Sequence, residues 1–202
     1  MDTCGRRPSA RGDATRRRAL AAVTVLLGAC DAPPPDELDR SALPDAAYCD
    51  PVRTWGEPDR RAEASLLHAL EDARAQTSAC GALGRFPAAP DPLQPVGALQ
   101  CAARRHAQYL VGQETLSHAD AEAALVDARV AQAGYEPVIV SELVAAGTVD
   151  AARIVDPLWQ RSPAHCADLH APDWQDVGVA ALGDPASRWG AVWVVVLGVP
   201  QP

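Results

Sequence analysis

Apolar residues recur at a helical spacing in two stretches of the chain, residues 61–78 and residues 96–112. A spacing of three or four residues places such side chains on one face of an α-helix. The pattern therefore predicts two amphipathic helices, and His106 is expected to be a packed, hydrogen-bonded core residue. The positions on these faces are Leu66, Leu67, Leu70 and Ala73 in the first helix, and Leu99, Ala102, His106, Tyr109 and Leu110 in the second.

Two more helices are predicted in the middle of the chain. Residues 119–132 are rich in Ala, Glu, Leu and Arg, and Gly134 suits the position just after a helix end. Residues 149–160 form the other helix, for which Thr148 is the expected N-cap. Between these helices, residues 137–140 predict a short strand or extended segment.

The last part of the chain is rich in β-forming residues. Residues 177–182 and 190–198 form two apolar runs, and the segment between them predicts a hairpin connection. The second run is apolar on both faces, with Trp193, Val195 and Leu197 on one and Val192, Val194 and Val196 on the other. Such a strand must be covered on both sides. The expected fold is therefore α+β, a three-layer α-β-α sandwich with a small, mainly antiparallel sheet.

The N-terminus has the order of charges and apolar residues that is typical of a secretory signal. Residues 16–18 are three arginines, and the uncharged run at residues 19–29 is too short to span a bilayer. The run ends in Leu-Gly-Ala-Cys at residues 27–30, which resembles the lipobox of bacterial lipoproteins. Residues 1–29 are thus predicted to be a cleaved signal peptide, and Cys30 is predicted to be the acylated first residue of the mature protein.

Residues 30–60 are expected to be a tether and residues 61–202 a single domain. The stretch at residues 31–44 is rich in proline and acidic residues and has few large apolar side chains with which to bury a core. Two or more acyl chains on Cys30 would anchor the protein stably. The expected location is the membrane of the bacterial cell envelope, on the periplasmic or the outer surface.

The charge of the mature chain argues against nucleic acid as a partner. Removing residues 1–29 takes away six arginines and two aspartates, which changes the formal charge from −8 to −12. An acidic surface repels phosphate backbones.

Four cysteines remain once Cys4 is cleaved off and Cys30 is acylated, namely Cys49, Cys80, Cys101 and Cys166. An even number in an exported chain predicts two disulfides, for which three connectivities exist. A structural zinc site is the rival interpretation, but the sequence contains no C-x₂-C pair that would favour it. Of the three connectivities we expect Cys80–Cys101, a local closure across a loop of moderate length, together with Cys49–Cys166.

Several short segments follow one another in a recognisable order between about residues 62 and 198. They are residues 66–74 (LLHALEDAR), 99–106 (LQCAARRH), 116–118 (LSH), 133–135 (AGY), 141–145 (SELVA) and 159–169 (WQRSPAHCADL), followed by the two terminal strands. In this order they resemble the bacterial branch of the CAP superfamily, the domain of cysteine-rich secretory and plant pathogenesis-related proteins. The resemblance implies the same α-β-α sandwich.

The resemblance also implies a cleft lined by two histidines and one or two glutamates. Matched by position, these are His118, Glu142 and His165, while Ser162 stands where eukaryotic members have a further glutamate. Two neutral imidazoles can hold Zn²⁺ or another divalent metal at about 2.0–2.1 Å. Glu142 would then be the candidate catalytic residue, acting as a base on the bound water.

The segments also depart from the family pattern in ways that bear on function. Ser141 and Leu143 replace the Gly and Asn that usually flank the glutamate in Gly-Glu-Asn-Ile-Ala, Ala164 replaces a Gly, and Asp168 replaces an Asn. These departures imply a relaxed cleft and a reduced ancestral activity. The favoured function is a non-catalytic module that binds a lipid, a glycan or an envelope protein. The alternative is a metal-assisted hydrolase that uses the His118, Glu142 and His165 cleft, so the sequence leaves open whether the protein is an enzyme.

Overall fold

A computed structural model describes residues 41–202 of the chain. The predicted signal peptide, the predicted lipidation site Cys30 and the first part of the predicted tether lie outside these residues. The helices are α1 (Glu57–Arg74), α2 (Gly97–Gln113), α3 (Val126–Gln132), α4 (Ala151–Arg153) and α5 (Pro163–His170), with shorter helical turns at Ala47–Val52, Gly81–Leu83 and Ile154–Trp159. The strands are β1 (Ser78–Ala79), β2 (Arg85–Phe86), β3 (Gln94–Pro95), β4 (Pro137–Ala146), β5 (Asp176–Asp184) and β6 (Gly190–Pro200).

The central sheet has four strands in the order β3-β5-β6-β4. β6 pairs antiparallel with both β4 and β5, whereas the short β3 runs parallel to β5. The hairpin predicted at the end of the chain is therefore confirmed, and its second strand, β6, is the longest strand of the sheet. The sheet is mainly antiparallel, as the sequence predicted.

Both faces of β6 are buried, each in a separate apolar cluster. Val192, Val194 and Val196 pack with α2, while Trp193, Val195 and Leu197 pack with α1 and with the helical segments that follow β4. The two predicted amphipathic helices thus cover opposite faces of the sheet. This arrangement confirms the α+β fold with helices on each side of the sheet.

Side chains from α1 and α2 complete the hydrogen bonding along the outer edge of β5. β3 pairs only with the first two residues of that strand. Further along, Gln100 accepts from the Val179 N–H at 3.1 Å and donates to the carbonyl of the same residue. Asp59 accepts from the Gly183 N–H at 3.0 Å. An edge covered in this way does not offer a template for another strand.

The disulfides join Cys49 to Cys101 and Cys80 to Cys166, so the predicted pairs Cys80–Cys101 and Cys49–Cys166 are wrong. Cys101 lies on α2, which covers one face of the sheet, whereas Cys166 lies on α5, which packs against the other. Cys80 directly follows β1 and pairs with the α5 cysteine. The closeness of Cys80 and Cys101 in sequence was misleading because the chain changes sides of the sheet between them.

The segment just before α1 packs against α2. Cys49 and Val52 are completely buried and Trp55 nearly so, all within the α2-side cluster. This segment therefore belongs to the packed part of the chain, although the sequence analysis counted it with the tether. Within residues 41–202, no helix is both long enough and apolar enough to cross a membrane.

The third helix begins at Val126 rather than at residue 119. Ahead of it, Asp120 Oδ1 accepts from the N–H groups of Glu122 and Ala124 at 3.0 Å each, and Ala123 has a φ of 59°. A side chain that bonds its own neighbouring backbone competes with helix formation. The residues that looked helical by composition therefore form a tight turn.

The helix predicted over residues 149–160 is broken. Asp150, not Thr148, is the N-cap, because its carboxylate accepts from the first N–H groups of α4. The helical path is interrupted at Asp156, which has extended angles of φ −128° and ψ 121°. A separate helix, α5, starts at Pro163. The strand predicted at residues 137–140 is longer than expected and extends as far as Ala146.

Candidate functional site

Glu142 lies in the middle of β4, opposite Val196 of β6. Its side chain is only 2% exposed. A charged carboxylate can occupy such a position only with partners that replace its hydration. Two side chains from outside the sheet provide those hydrogen bonds, and a third, His106, lies close to them.

His118 is the first of them and comes from the loop between α2 and α3. Its Nδ1 donates to Glu142 Oε1 at 3.0 Å, and the imidazole is 53% exposed. This hydrogen bond is the main reason why the pKa of His118 is raised, and the charge of the carboxylate adds to it against desolvation. Because Nδ1 is committed to Glu142, Nε2 is the nitrogen that can meet a ligand.

Arg129 is the second partner and approaches from α3. One of its terminal nitrogens donates to Glu142 Oε2 at 2.6 Å, and its side chain is 1% exposed. The other terminal nitrogen donates to the carbonyls of His118 and Ala124 at 3.0 and 2.7 Å. The guanidinium therefore neutralises the glutamate and also holds the loop that carries the first histidine.

His106 on α2 is a close neighbour of the carboxylate and is completely buried. Its Nε2 donates to the carbonyl of Ser117 at 2.8 Å and lies 3.6 Å from Glu142 Oε1. Burial is the largest influence on its pKa and lowers it, against the raising effect of the glutamate. The prediction that His106 is a packed, hydrogen-bonded core residue is confirmed.

His165 lies near the start of α5 and is partly buried. Burial lowers its pKa, the positive charge of His118 lowers it further, and Asp168 opposes both effects. The two imidazoles are thus near enough to influence each other's protonation. His118 touches Glu142 directly, whereas His165 joins the group only through this electrostatic interaction.

A model of the cysteine-rich secretory protein family, CAP, matches residues 88–197, which is just over half of the chain. This chain belongs to the CAP family. The match covers α2, β4, α5 and both strands of the terminal hairpin, and so includes His118, Glu142 and His165.

Solved structures similar to this CAP chain include bacterial and animal proteins. An outer surface protein from Borrelia burgdorferi shares 22% identity at a TM-score of 0.48, over 54% of this chain and 78% of that one. An extracellular protein with an SCP domain from Bacillus anthracis shares 16% identity at a TM-score of 0.42, over 50% of this chain and 32% of that one. Venom allergen-like protein 4 from Schistosoma mansoni shares 9% identity at a TM-score of 0.41, over 73% of this chain and 92% of that one. No curated protein matches the sequence.

Two departures of this CAP domain from the family pattern contact each other. Ser141, where the family usually has Gly, donates from Oγ to Asp168 Oδ2 at 2.8 Å. Asp168 itself stands where Asn is usual, on the helix that carries His165. The pair links β4 to α5 at the residue next to Glu142, so these two substitutions support each other.

Among residues 41–202, the side chains around Glu142 do not form a complete set of metal ligands. Both oxygens of Glu142 are engaged by protein donors, His118 and Arg129. In the part of the chain that the structure describes, no group of three His, Cys, Asp or Glu side chains is placed to hold a metal ion. A zinc site of the usual kind needs at least three protein ligands. Zinc would have to rely on His118 and His165, with water completing its coordination.

Sequence reasoning identified three members of this cluster and missed Arg129. No motif marks that residue, because a single arginine on a short helix is normally a solvated surface residue. The available signal was indirect, since a buried glutamate implies a nearby cation. Which cation it is depends on how α3 packs beside β4.

Proposed function

We propose that this CAP domain is a non-catalytic binding module, held by a lipid on Cys30 at the membrane of a bacterial cell envelope. The observation that supports this proposal is the state of Glu142. Its carboxylate is buried and hydrogen-bonded at both oxygens, to His118 and to Arg129. A general base must lie within hydrogen-bond reach of the water that it activates. Here the protein's own donors occupy the hydrogen-bonding positions at which Glu142 would meet that water.

The accessible part of the cluster suits recognition of a polar group. His118 is half exposed with Nε2 available, and its charge acts on His165, whose pKa is shifted in the opposite direction. Over a range of pH the pair therefore combines a charged donor with a neutral imidazole. Such a pair can bind a headgroup, a sugar or a peptide of the envelope, which are the lipid, glycan and protein ligands that we propose.

The lipoprotein, extracted from membranes, tests this proposal against three immobilised ligands, namely peptidoglycan, vesicles of envelope phospholipid and an envelope protein fraction. We expect retention on one of them, weakened at least tenfold in a variant with both His118→Ala and His165→Ala. His68→Ala is the matched control, because His68 is an exposed histidine that pairs only with Asp72 on α1. Equal retention of the double variant and the wild type would refute the proposal.

One observation favours the alternative, a metal-assisted hydrolase. A carboxylate that accepts from one imidazole nitrogen commonly orients the other nitrogen toward a metal, and Glu142 has this relation to His118. In that case His118 and His165 would be the ligands, and the ion would supply an activated water. Metal analysis of the purified protein together with an ester and amide hydrolysis assay separates the two functions, since only the hydrolase requires both to be positive.

A further inference from the structure

A cavity of about 230 Å³ lies between α2, α3 and the segment around Tyr48. Its walls include Tyr48, Arg105, His106, Tyr109, Asp120 and Arg129. His118, Glu142 and His165 do not line it. Any ligand of this cavity would therefore be bound by side chains other than the two cleft imidazoles.

Three of the residues that line the cavity each have a buried polar atom without a hydrogen-bond partner among residues 41–202. These atoms are Nδ1 of His106, Nε of Arg105 and Nε of Arg129. His106 is completely buried and the Arg129 side chain is 1% exposed. Buried polar atoms are nearly always paired, with protein, with water or with a ligand. Their concentration around one cavity indicates that a polar molecule fits there.

The hydrogen bond of His106 determines what its second nitrogen can do. Nε2 lies 2.8 Å from the Ser117 carbonyl, which only accepts, so Nε2 carries the proton. Burial lowers the pKa of His106 and favours the neutral ring, in which Nδ1 is an acceptor. The Nε–H groups of Arg105 and Arg129 are donors. A matching ligand must both donate and accept, as hydroxyl groups do.

The charges around the cavity do not attract an anion. Arg105 and Arg129 line it together with Asp120 and Glu122, and Arg129 is already paired with Glu142. An anionic ligand would therefore gain no net attraction. The balance favours an uncharged molecule and disfavours a phosphate or a polyanion.

Aromatic rings add an apolar surface to this polar set. The Arg105 guanidinium lies 5.2 Å from the centre of the Tyr48 ring, and Tyr109 stacks on His106 with ring centres 6.0 Å apart. Sites for drug-sized molecules usually measure about 300–1,000 Å³, so this cavity suits one small ring. An uncharged ring with hydroxyl groups and an apolar face is a sugar.

We propose that this cavity binds one ring of a neutral carbohydrate, displayed by a larger glycan. The sugar's hydroxyl groups would donate to His106 Nδ1 and accept from the two arginines, while its apolar face would rest on a tyrosine ring. This adds a separate site to the binding module proposed above, for one of the ligand classes named there, and it does not depend on His118 or His165.

Saturation-transfer NMR on the detergent-solubilised lipoprotein tests the proposal, in an alkyl-phosphocholine detergent that carries no sugar. The probes are glucose and N-acetylglucosamine, with glucuronate as a charged comparison and cyclohexanol as an apolar one. We expect transfer to at least one neutral sugar and weaker transfer to both comparisons. Arg105→Ala should raise the dissociation constant of that sugar about tenfold.

Arg188→Ala is the matched control, because Arg188 also stacks on an aromatic ring, at 4.5 Å from the centre of Trp189, but lies outside the cavity. The Arg188→Ala variant should bind the neutral sugar with the affinity of the wild type. If Arg105→Ala does not fold, Tyr109→Ala takes its place with the same expected loss. The proposal is overturned if no neutral sugar binds, if glucuronate binds as well as the sugars do, or if the cavity variants keep full affinity.

Discussion

Arg129 donates to Glu142 across 2.6 Å, and neither side chain has more than 2% of its surface exposed. The two residues come from different elements, a short helix and a central strand. This ion pair holds α3 and the His118 loop against the sheet. It also occupies one oxygen of the Glu142 carboxylate, while His118 donates to the other.

The first prediction concerns the stability that depends on this pair. Arg129→Met leaves Glu142 buried without its cation and should lower the free energy of unfolding by about 3–5 kcal/mol. Arg61→Met is the control, because Arg61 forms an exposed pair with Glu57, for which a loss of about 0–1 kcal/mol is expected. Urea unfolding with the disulfides intact measures both variants. Adding Glu142→Leu to Arg129→Met should restore much of the loss, and a further loss in the double variant would contradict this account.

The second prediction is that stability responds to pH through His118. Since the pKa of His118 is raised in the folded protein, its contribution is complete below the ordinary value of 6.5 and is lost as pH rises through the folded pKa. His118→Gln should therefore flatten the stability profile just above pH 6.5. Thermal unfolding of both proteins across pH 5–9 checks this, and identical slopes above pH 6.5 would show that the hydrogen bond to Glu142 is not maintained.

The other cluster histidines should behave in the opposite way. The pKa values of His106 and His165 are lowered, so each contributes stability that is present above pH 6.5 and is lost as pH falls toward the folded pKa. In the same titration, His165→Gln should reduce the loss of stability below pH 6.5. Imidazole NMR signals should show His118 titrating at a higher pH than His165, and the reverse order would contradict the geometry of the cleft.

The third prediction concerns the disulfides. Peptide mapping under non-reducing conditions should recover Cys49–Cys101 and Cys80–Cys166. Replacing both cysteines of either pair by alanine should lower the free energy of unfolding by about 2–4 kcal/mol. A Cys80–Cys101 peptide would mean that α2 and α5 do not lie on opposite faces of the sheet.

The fourth prediction uses zinc to separate binding from hydrolysis. If His118 and His165 bind Zn²⁺, the metal at a hundredfold excess over its dissociation constant should stabilise the protein by about 2.7 kcal/mol. Because Arg129 and His118 already engage Glu142, we expect no stabilisation by micromolar zinc. Thermal shifts of the wild type and of the His118→Ala/His165→Ala variant measure the effect. A shift in the wild type that disappears in the variant would favour the metal-dependent alternative.

The fifth prediction concerns Cys30. The intact mass of membrane-extracted protein should correspond to a chain that starts at Cys30 and carries two or three acyl groups, because the residues before it resemble a lipobox. Cys30→Ser should release the protein from the membrane, since two or more acyl chains are needed for stable anchoring. An unmodified chain that begins at another residue would exclude the lipoprotein assignment.

Much of the fold could be predicted from the sequence because the relevant signals are local. The uninterrupted apolar run of β6 implies a strand covered on both faces, whatever covers it. The spacing of Leu66 and Leu70, and of Leu99 and Ala102, likewise implies one buried face on each helix. The order of the short motifs indicated the family, and the family resemblance predicted that His118 and Glu142 lie close together.

The tertiary structure alone decided which face of the sheet each helix covers. That choice pairs Cys49 with Cys101, separates Cys80 from its neighbour in sequence, and brings Arg129 to Glu142. It also places His106 between Glu142 and the cavity beside Tyr48. The physical reason is that periodicity specifies only that a face is buried. The identity of its partner depends on the packing of the whole chain, where residues distant in sequence replace the water that each charged or polar group has lost.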